Sequence, residues 1–531
     1  MDANTAIPEA GPKAGRREWL GLAVLALPTL LLSLDLSVLH LALPQLSADL
    51  GAGSIQQLWI IDIYGFMIAG FLITMGSLGD RIGRRKLMLI GAALFAVASV
   101  AAALSTSPEM LIVTRALMGI AGATLMPSTL ALIMNMFHDP AQRGSAIGVW
   151  VACFMGGMAL GPLIGGTVLQ FFWWGAVFLL AVPVMVLLLV AGPVLLPEFR
   201  DESSSGRIDL LSVALSLGTI LSTVYGIKEL AKDGVQPVPV AAIVVGLVLG
   251  VLFVLRQNRL AEPLIDLRLF KIKSFSGALV IALFGASVGG GTILVVNLYL
   301  QTVEGLTPLR AGLLTLPSGF AMVAAAMIAP AIARTVRPAY VVAVGLLVAA
   351  GGYLMLTQVD TGGGVVLLVI ALILSSAGSG PQAALSTELV LRSAPPEKAG
   401  SAASVSETGG ELGMALGFAV MGSIATAVYG SALSGNLPSA AGEEATRSAE
   451  ESIVGALTAA GQLPGEVGAE LLQSARDAFT TGMHVVAAIS AVLLVGLALI
   501  AVVTLRHAPP TGAAPEAEEA DADEPAVQVG G

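Results

Sequence analysis

Gly76-Ser-Leu-Gly-Asp80-Arg81-Ile-Gly83-Arg84-Arg85-Lys86 separates two long apolar runs, and its chemistry decides the fold. Four cations, one acid and three glycines cannot lie together in hydrocarbon, so the stretch belongs at a membrane surface. Its glycines let the chain reverse within a few residues. The runs on either side therefore read as antiparallel membrane helices.

The rest of the chain agrees. It has 531 residues, 56% hydrophobic and 12% charged, with a mean hydropathy of +0.88. Soluble domains carry about 25% charged residues, so most of this chain is not built to face water. Apolar runs of about 20 residues recur, each long enough to cross a hydrocarbon core of roughly 30 Å. They lack the alternation of a membrane barrel, which leaves helices. Cys153 is the single cysteine and permits neither an intrachain disulfide nor a cysteine metal site. There is no nucleophile–base set and no phosphate-binding loop. An enzyme is disfavoured, and no cofactor, metal or nucleic-acid partner is expected. Much of the net charge of −10 sits in Glu516, Glu518, Glu519, Asp521, Asp523 and Glu524. Segment 507–531 therefore reads as a disordered, acidic cytoplasmic tail that says nothing of a substrate.

Fourteen spans can be read, from 20–43 at the start to 479–505 at the end. Of the 26 Lys and Arg residues, Lys228, Lys232, Arg310, Arg447 and Arg476 fall on one side and Arg115 within a span. The remaining twenty fall on the other side. The positive-inside rule then places both termini in the cytoplasm of a multi-pass protein of the inner (plasma) membrane. No cleavable signal peptide is expected, since the first run is full length. The long outer loop 430–477 contains two stretches of helical spacing, Glu450–Leu457 and Glu470–Phe479, split by Gly461 and Pro464. A small helical hairpin capping the outer face is expected there, with a partly ordered loop as the alternative.

Ionisable side chains within a span cost about 2.5–3.5 kcal/mol or more and mark ion or substrate paths. Asp35 (span 1), Asp62 (span 2), Arg115 (span 4) and Glu407 (span 13) are the clear cases. Asp35 is about fifteen residues, roughly 22 Å, above the inner end of its span. Arg115 is about six residues, roughly 9 Å, below the outer end of its own, and Asp62 matches it. In a core of about 30 Å these depths coincide. An Asp–Arg pair there would offset part of the burial cost of both groups, and it would be either a coupling element or a static brace. Glu407 and Glu411 are one turn apart on one helix face. Such close carboxylates raise one another's proton affinity, although hydrogen bonding among the neighbouring glycines is the alternative. Glu388, near the inner end of span 12, is expected to snorkel to the interface.

Several strings together resemble the major facilitator superfamily. The opening stretch matches its signature loop, G-x-L-x-D-R-x-G-R-[KR]-[KR]. Leu111-x-x-x-Arg115-x-x-Met118-Gly119-x-Ala121-Gly122 resembles its span-4 motif, with Met118 in place of the usual glutamine. Gly157-x-x-x-Gly161-Pro162-x-x-Gly165-Gly166 resembles its antiporter motif. Small residues at that spacing allow close helix contact, and Pro162 permits a bend. Leu34-Asp35-x-Ser37 with Ala42-Leu43-Pro44, and also Gln56–Tyr64 and Ala399–Glu407, are similar to the fourteen-span drug–proton antiporters, in particular the quaternary-ammonium exporters.

The resemblance implies an all-α membrane protein in which two six-helix bundles flank two inserted helices. The expected division is a cytoplasmic segment 1–17, a first bundle 18–200, inserted helices and linkers 201–273, and a second bundle 274–506. It implies proton coupling at Asp35, Arg115, Glu407 and Asp62. Substrate recognition would involve Asp35, Asp62, Glu407 and Glu411 in a cavity lined by residues such as Trp59, Tyr64, Met155 and Met322. For each of those four apolar or aromatic residues, ordinary helix packing is the favoured reading over direct contact. An acid found in span 10 of some relatives aligns with Met322, which favours monovalent over divalent cations. Gly76, Asp80, Arg81, Gly83, Arg84 and Arg85 would form a conformational latch, with the three arginines reaching anionic headgroups.

The expected function is proton-driven export of lipophilic, mainly monovalent cationic compounds by a monomer, with protons and the bilayer as its other partners. A dedicated exporter of one endogenous metabolite or antibiotic is the alternative. A proton-coupled importer and a non-transporting receptor are less consistent with the antiporter string and the dispersed buried acids.

Overall fold

The computed structural model describes residues 13–52, 54–200, 209–233, 236–260, 263–361, 364–395, 398–435, 437–438, 440–506 and 508–510. Most of the expected tail and of segment 1–17 lies outside these residues. Among the described residues there are seventeen α-helices and no strand.

The first six spans are α1 (Arg16–Leu50), α2 (Ser54–Ile82), α3 (Arg84–Ala103), α4 (Pro108–Met136), α5 (Pro140–Phe171) and the pair α6 (Ala176–Leu179) and α7 (Ala181–Leu195). Then come α8 (Leu210–Asp233) and α9 (Pro237–Gln257). The last six spans are α10 (Lys273–Leu298), α11 (Pro308–Ile332), α12 (Pro338–Leu356), α13 (Val365–Arg392), α14 (Ala399–Ser434) and α17 (Gly465–Leu505), with α15 (Glu443–Glu451) and α16 (Ile453–Ala460) before α17. Thirteen of the spans are long and apolar enough to cross a membrane as they stand, and bent α5 makes fourteen.

The helix starts show how short the connections are. Ser107, Asp139 and Thr307 each cap the next helix through a side-chain oxygen, accepting from Met110 N (3.2 Å), Gln142 N (2.8 Å) and Arg310 N (3.4 Å). A proline follows each cap at the first helical position, where its missing N–H costs nothing. Inside the spans, hydroxyls such as Thr114, Thr124 and Thr129 donate back to carbonyls of their own helix, which satisfies them in an apolar setting.

Packing repeats between the halves. In the first, α1 lies on α5, α2 on α4, and α3 on both α4 and α7. In the second, α10 lies on α14, α11 on α13, and α12 on both α13 and α17. The halves meet where α5 packs on α11 and α2 on α14, the same pair of positions taken in each direction. The helices α8 and α9 pack on one another, and α8 lies against α2 and α14. A polar chain holds their base. Arg256 donates to both oxygens of Asp209 (2.5 and 2.8 Å), Gln257 to Ser212 Oγ (2.7 Å), and Leu264 N to Gln257 Oε1 (2.7 Å). Ser401 of α14 then donates to Leu264 O (3.1 Å).

The 430–477 segment differs in detail from expectation. The helical hairpin is made by α15 and α16, with Ser452 capping α16 and Tyr429 Oη donating to Ala449 O at 2.7 Å. The Glu470–Phe479 stretch is instead the start of α17, a helix of 41 residues. Pro464 precedes that helix, and nothing after it interrupts the ladder.

Candidate functional site

Asp35 and Arg115, matched in depth by residue counting, form an ion pair between α1 and α4. The Arg115 side chain is 1% exposed and that of Asp35 13%, so the base is sealed while the acid keeps some accessible surface. The guanidinium also lies 4.3 Å from the Tyr64 ring centroid and 5.7 Å from that of Phe178, with Nε 3.4 Å from Ile60 O. Gly119 makes this enclosure possible. A Cβ there would stand 2.6 Å from Tyr64 O, so only glycine lets α2 bring the ring beneath Arg115. The expectation that Tyr64 lines a cavity is corrected: it has no exposed surface, and it packs edge-on to Phe95. Its position follows from the rotation of α2, which sequence spacing alone leaves open.

The antiporter-like string of α5 packs on both sides of Asp35. A Cβ on Gly157 would collide with Leu30 O and Ser33 Oγ, and one on Gly165 would stand 2.6 Å from Val38. Between them α5 bends by 45°, from Pro140–Met158 to Leu163–Phe171. The break contains Gly161, which is buried, and Pro162, which has no N–H to continue the ladder. Gly166 faces open space. The helix carrying the buried acid is thus seated on the bend of its neighbour.

Glu407 and Glu411 are half-buried and within electrostatic reach of each other, and Glu411 lies within electrostatic reach of Tyr64. The face of α14 beside them packs Gly409, Gly413 and Gly417 on α10, while Ala415 and Ala419 cluster with Phe66 of α2. The side chain of Asp62 lies outside the described residues. Trp59 is partly exposed and meets Phe66 edge-on at 6.2 Å. Met155 is half-buried against the core, and Met322 is half-buried with its carbonyl against Gly380 of α13. Asp35 of the first half and Glu411 of the second thus both lie within electrostatic reach of Tyr64, while the two methionines lie on α5 and α11.

At the other level, the Gly76–Lys86 stretch is pinned to the end of α7. Arg84 N donates to Phe199 O (2.8 Å), Arg85 N to Glu198 Oε1 (3.1 Å), and Arg85 Nη1 to Leu196 O (2.9 Å). Gly83 has φ +110°, and a Cβ there would stand 2.5 Å from Glu198 Oε1. Arg84 is fully buried and paired with Asp80, itself buried. Arg84 and Arg85 thus point into protein rather than towards headgroups, because Asp80, Glu198 and the open carbonyls of α7 offer them better-placed acceptors. Gly76 is buried and Arg81 half-buried.

Glu388 is the residue sequence reasoning misplaced. It is 1% exposed and packed under α5, not snorkelling. The available signal was Arg392, one turn further on α13, which suits pairing better than escape.

A family model described as Major Facilitator Superfamily matches residues 25–418. The chain is 43% identical to the "Multidrug efflux pump LfrA" of Mycolicibacterium smegmatis, covering 92% of this chain and 97% of that protein. It is 34% identical to the "Methyl viologen resistance protein SmvA" of Salmonella typhimurium, covering 87% and 93%. Among solved structures, the human organic anion transporter MFSD10 (TETRAN) superposes with a TM-score of 0.58 at 17% identity, covering 90% of this chain and 99% of that one.

Proposed function

Because this chain belongs to the Major Facilitator Superfamily, we propose that it exports lipophilic, mainly monovalent cations in exchange for protons by alternating access. The observation that carries the reading is the Asp35–Arg115 pair, in which the base is buried and the acid keeps some accessible surface. An ionised Asp35 can be satisfied by Arg115 or by a cationic drug. Once protonated it needs neither, and Arg115 retains the faces of Tyr64 and Phe178 and the carbonyl of Ile60. Glu407 and Glu411, on one face of α14, supply further negative charge, and Asp62 is a further candidate. The similarity to a multidrug efflux pump supports broad export over the dedicated alternative.

In this reading the halves are 18–200 and 274–506, joined by 201–273, and the chain works as a monomer in the inner (plasma) membrane. The Gly76–Lys86 end, called the basic end below, faces the cytoplasm. Methyl viologen, named for a relative, carries two charges, so charge preference needs its own measurement. In inverted vesicles holding an inward proton gradient, ethidium or a quaternary ammonium is expected to dissipate the gradient, and methyl viologen to do so less. No response to any lipophilic cation would refute the multidrug reading and leave the dedicated exporter.

A further inference from the structure

We propose that the acidic segment 511–531 folds back onto a cationic rim at the end of α17, formed by Lys271, Lys273, Arg334 and Arg337. The docking rests on charge, packing and reach, and it takes nothing from the transport reading.

Helix packing builds the rim. A Cβ on Gly277 would collide with Thr504 Oγ1, so the first turns of α10 lie against the last turn of α17. From another side Arg337, at the start of α12, donates Nη1 to Arg506 O (3.2 Å). Thr504 and Arg506 are neighbours on one helix end, and a helix with its side chains is about 10–12 Å across. Lys271 and Lys273 before and at the start of α10, and Arg334 and Arg337 between α11 and α12, therefore flank a single helix end. All four are exposed.

Their charge is left uncompensated. No described carboxylate pairs with any of the four. The acids nearby in sequence are already engaged, Asp266 at 4.0 Å from Arg268 and buried Glu388 at 3.5 Å from Arg392. Arg334 donates to Ala141 O and Ser145 Oγ, and Arg337 to Arg506 O, all neutral acceptors that leave the positive charge in place. A rim of like charges such as this one attracts an anion.

The chain leaves α17 in the right place to supply it. Ala508 N donates to Leu505 O (3.0 Å), Ala508 packs against the core, and Pro510 is half-buried, so the last described residues turn back against the protein. Residues 511–531 lie outside the described residues. They carry Glu516, Glu518, Glu519, Asp521, Asp523 and Glu524, with no Lys, Arg or His. Glu516 can stand at most roughly 20 Å of extended chain from Pro510, enough to cross the rim. A tether this short presents the acids at about millimolar effective concentration. Anionic headgroups are the rival occupant, but the segment's own charge is relieved on the rim and not on a like-charged lipid surface.

The test uses the full chain with Cys153→Ser, spin-labelled at Thr335→Cys and Ala520→Cys, in nanodiscs containing phosphatidylglycerol so that lipid competes. Pulsed electron resonance reads the distance between the labels. The native segment is expected to give a short, narrow distribution at low salt that lengthens and broadens at high salt. Replacing the six acids by Gln and Asn is expected to produce the long distribution at any salt, and so is replacing the four rim cations by Gln. Lys13→Gln with Arg16→Gln, exposed cations of the first half at the same end, is expected to leave the short distance in place. A native distribution matching that of the neutral segment shows that headgroups hold the rim and overturns the proposal. Release by the Lys13 and Arg16 pair as large as by the rim variant overturns the assigned surface. If the four-cation variant fails to fold, Lys271→Gln with Lys273→Gln must release the segment more than the Lys13 and Arg16 pair does, and equal distributions refute it.

Discussion

Arg115 pairs with Asp35 while its guanidinium rests 4.3 Å from the centroid of the Tyr64 ring, so the base has a second partner that carries no charge. Removing Asp35's charge and removing Arg115 are therefore different experiments. Arg115→Ala strands a buried carboxylate and is expected to cost about 3–5 kcal/mol of stability. Tyr64→Phe keeps the platform and is expected to be near neutral. Tyr64→Leu gives up a cation–π contact of about 0.5–2 kcal/mol. Thermal unfolding of the purified chain checks the order Arg115→Ala, then Tyr64→Leu, then Tyr64→Phe.

The glycines of the α5 string are not equivalent. Gly157→Ala and Gly165→Ala push α5 away from α1 on either side of Asp35, and overpacking of this kind costs about 1–3 kcal/mol. Gly166→Ala meets open space and is expected to be tolerated. Transport assays on the three variants should separate the first two from the third. Equal loss at Gly166 would show that composition, not contact, governs the string.

At the basic loop, Gly83→Ala meets both an unfavourable φ and the Glu198 carboxylate. Backbone strain alone is about 1–3 kcal/mol. Glu198→Ala removes the collision but not the strain, so Gly83→Ala is expected to cost less in that background. A double-mutant cycle by thermal unfolding measures the difference.

The base of the inserted helices gives a pH prediction. Hydrogen bonds from Arg256 and Ser212 hold the Asp209 carboxyl well below the usual carboxylate range. A depressed folded value means that its contribution is complete above the ordinary value of about 3.9 and fades only as pH falls through the lower folded value. Asp209→Asn is expected to lower stability by about 1 kcal/mol or less, since the pair is partly exposed. Melting curves should show a constant gap from pH 8 to about 5. A gap that narrows across that range would contradict the assignment.

Much of this was legible in the sequence because hydrocarbon is an unforgiving solvent. Counting residues from the inner end of span 1 and the outer end of span 4 put Asp35 and Arg115 at one level, and they meet. Gly161-Pro162 announced a bend, and α5 bends there. What stayed hidden depends on rotation and on the other half. No spacing rule shows that Gly119 admits Tyr64 beneath Arg115, or that α5 closes over Glu388. The hairpin arms were displaced for a local reason, since Pro464 starts a helix as readily as it ends one.

The central claim is that one buried site, centred on Asp35, holds a proton or a drug but not both. Adding ethidium to purified protein in weakly buffered detergent solution, with a pH indicator, tests it directly. The wild-type chain is expected to release protons as ethidium binds, and Asp35→Asn to release far fewer. Ethidium binding with no proton release from the wild-type chain, or equal release from Asp35→Asn, would contradict it.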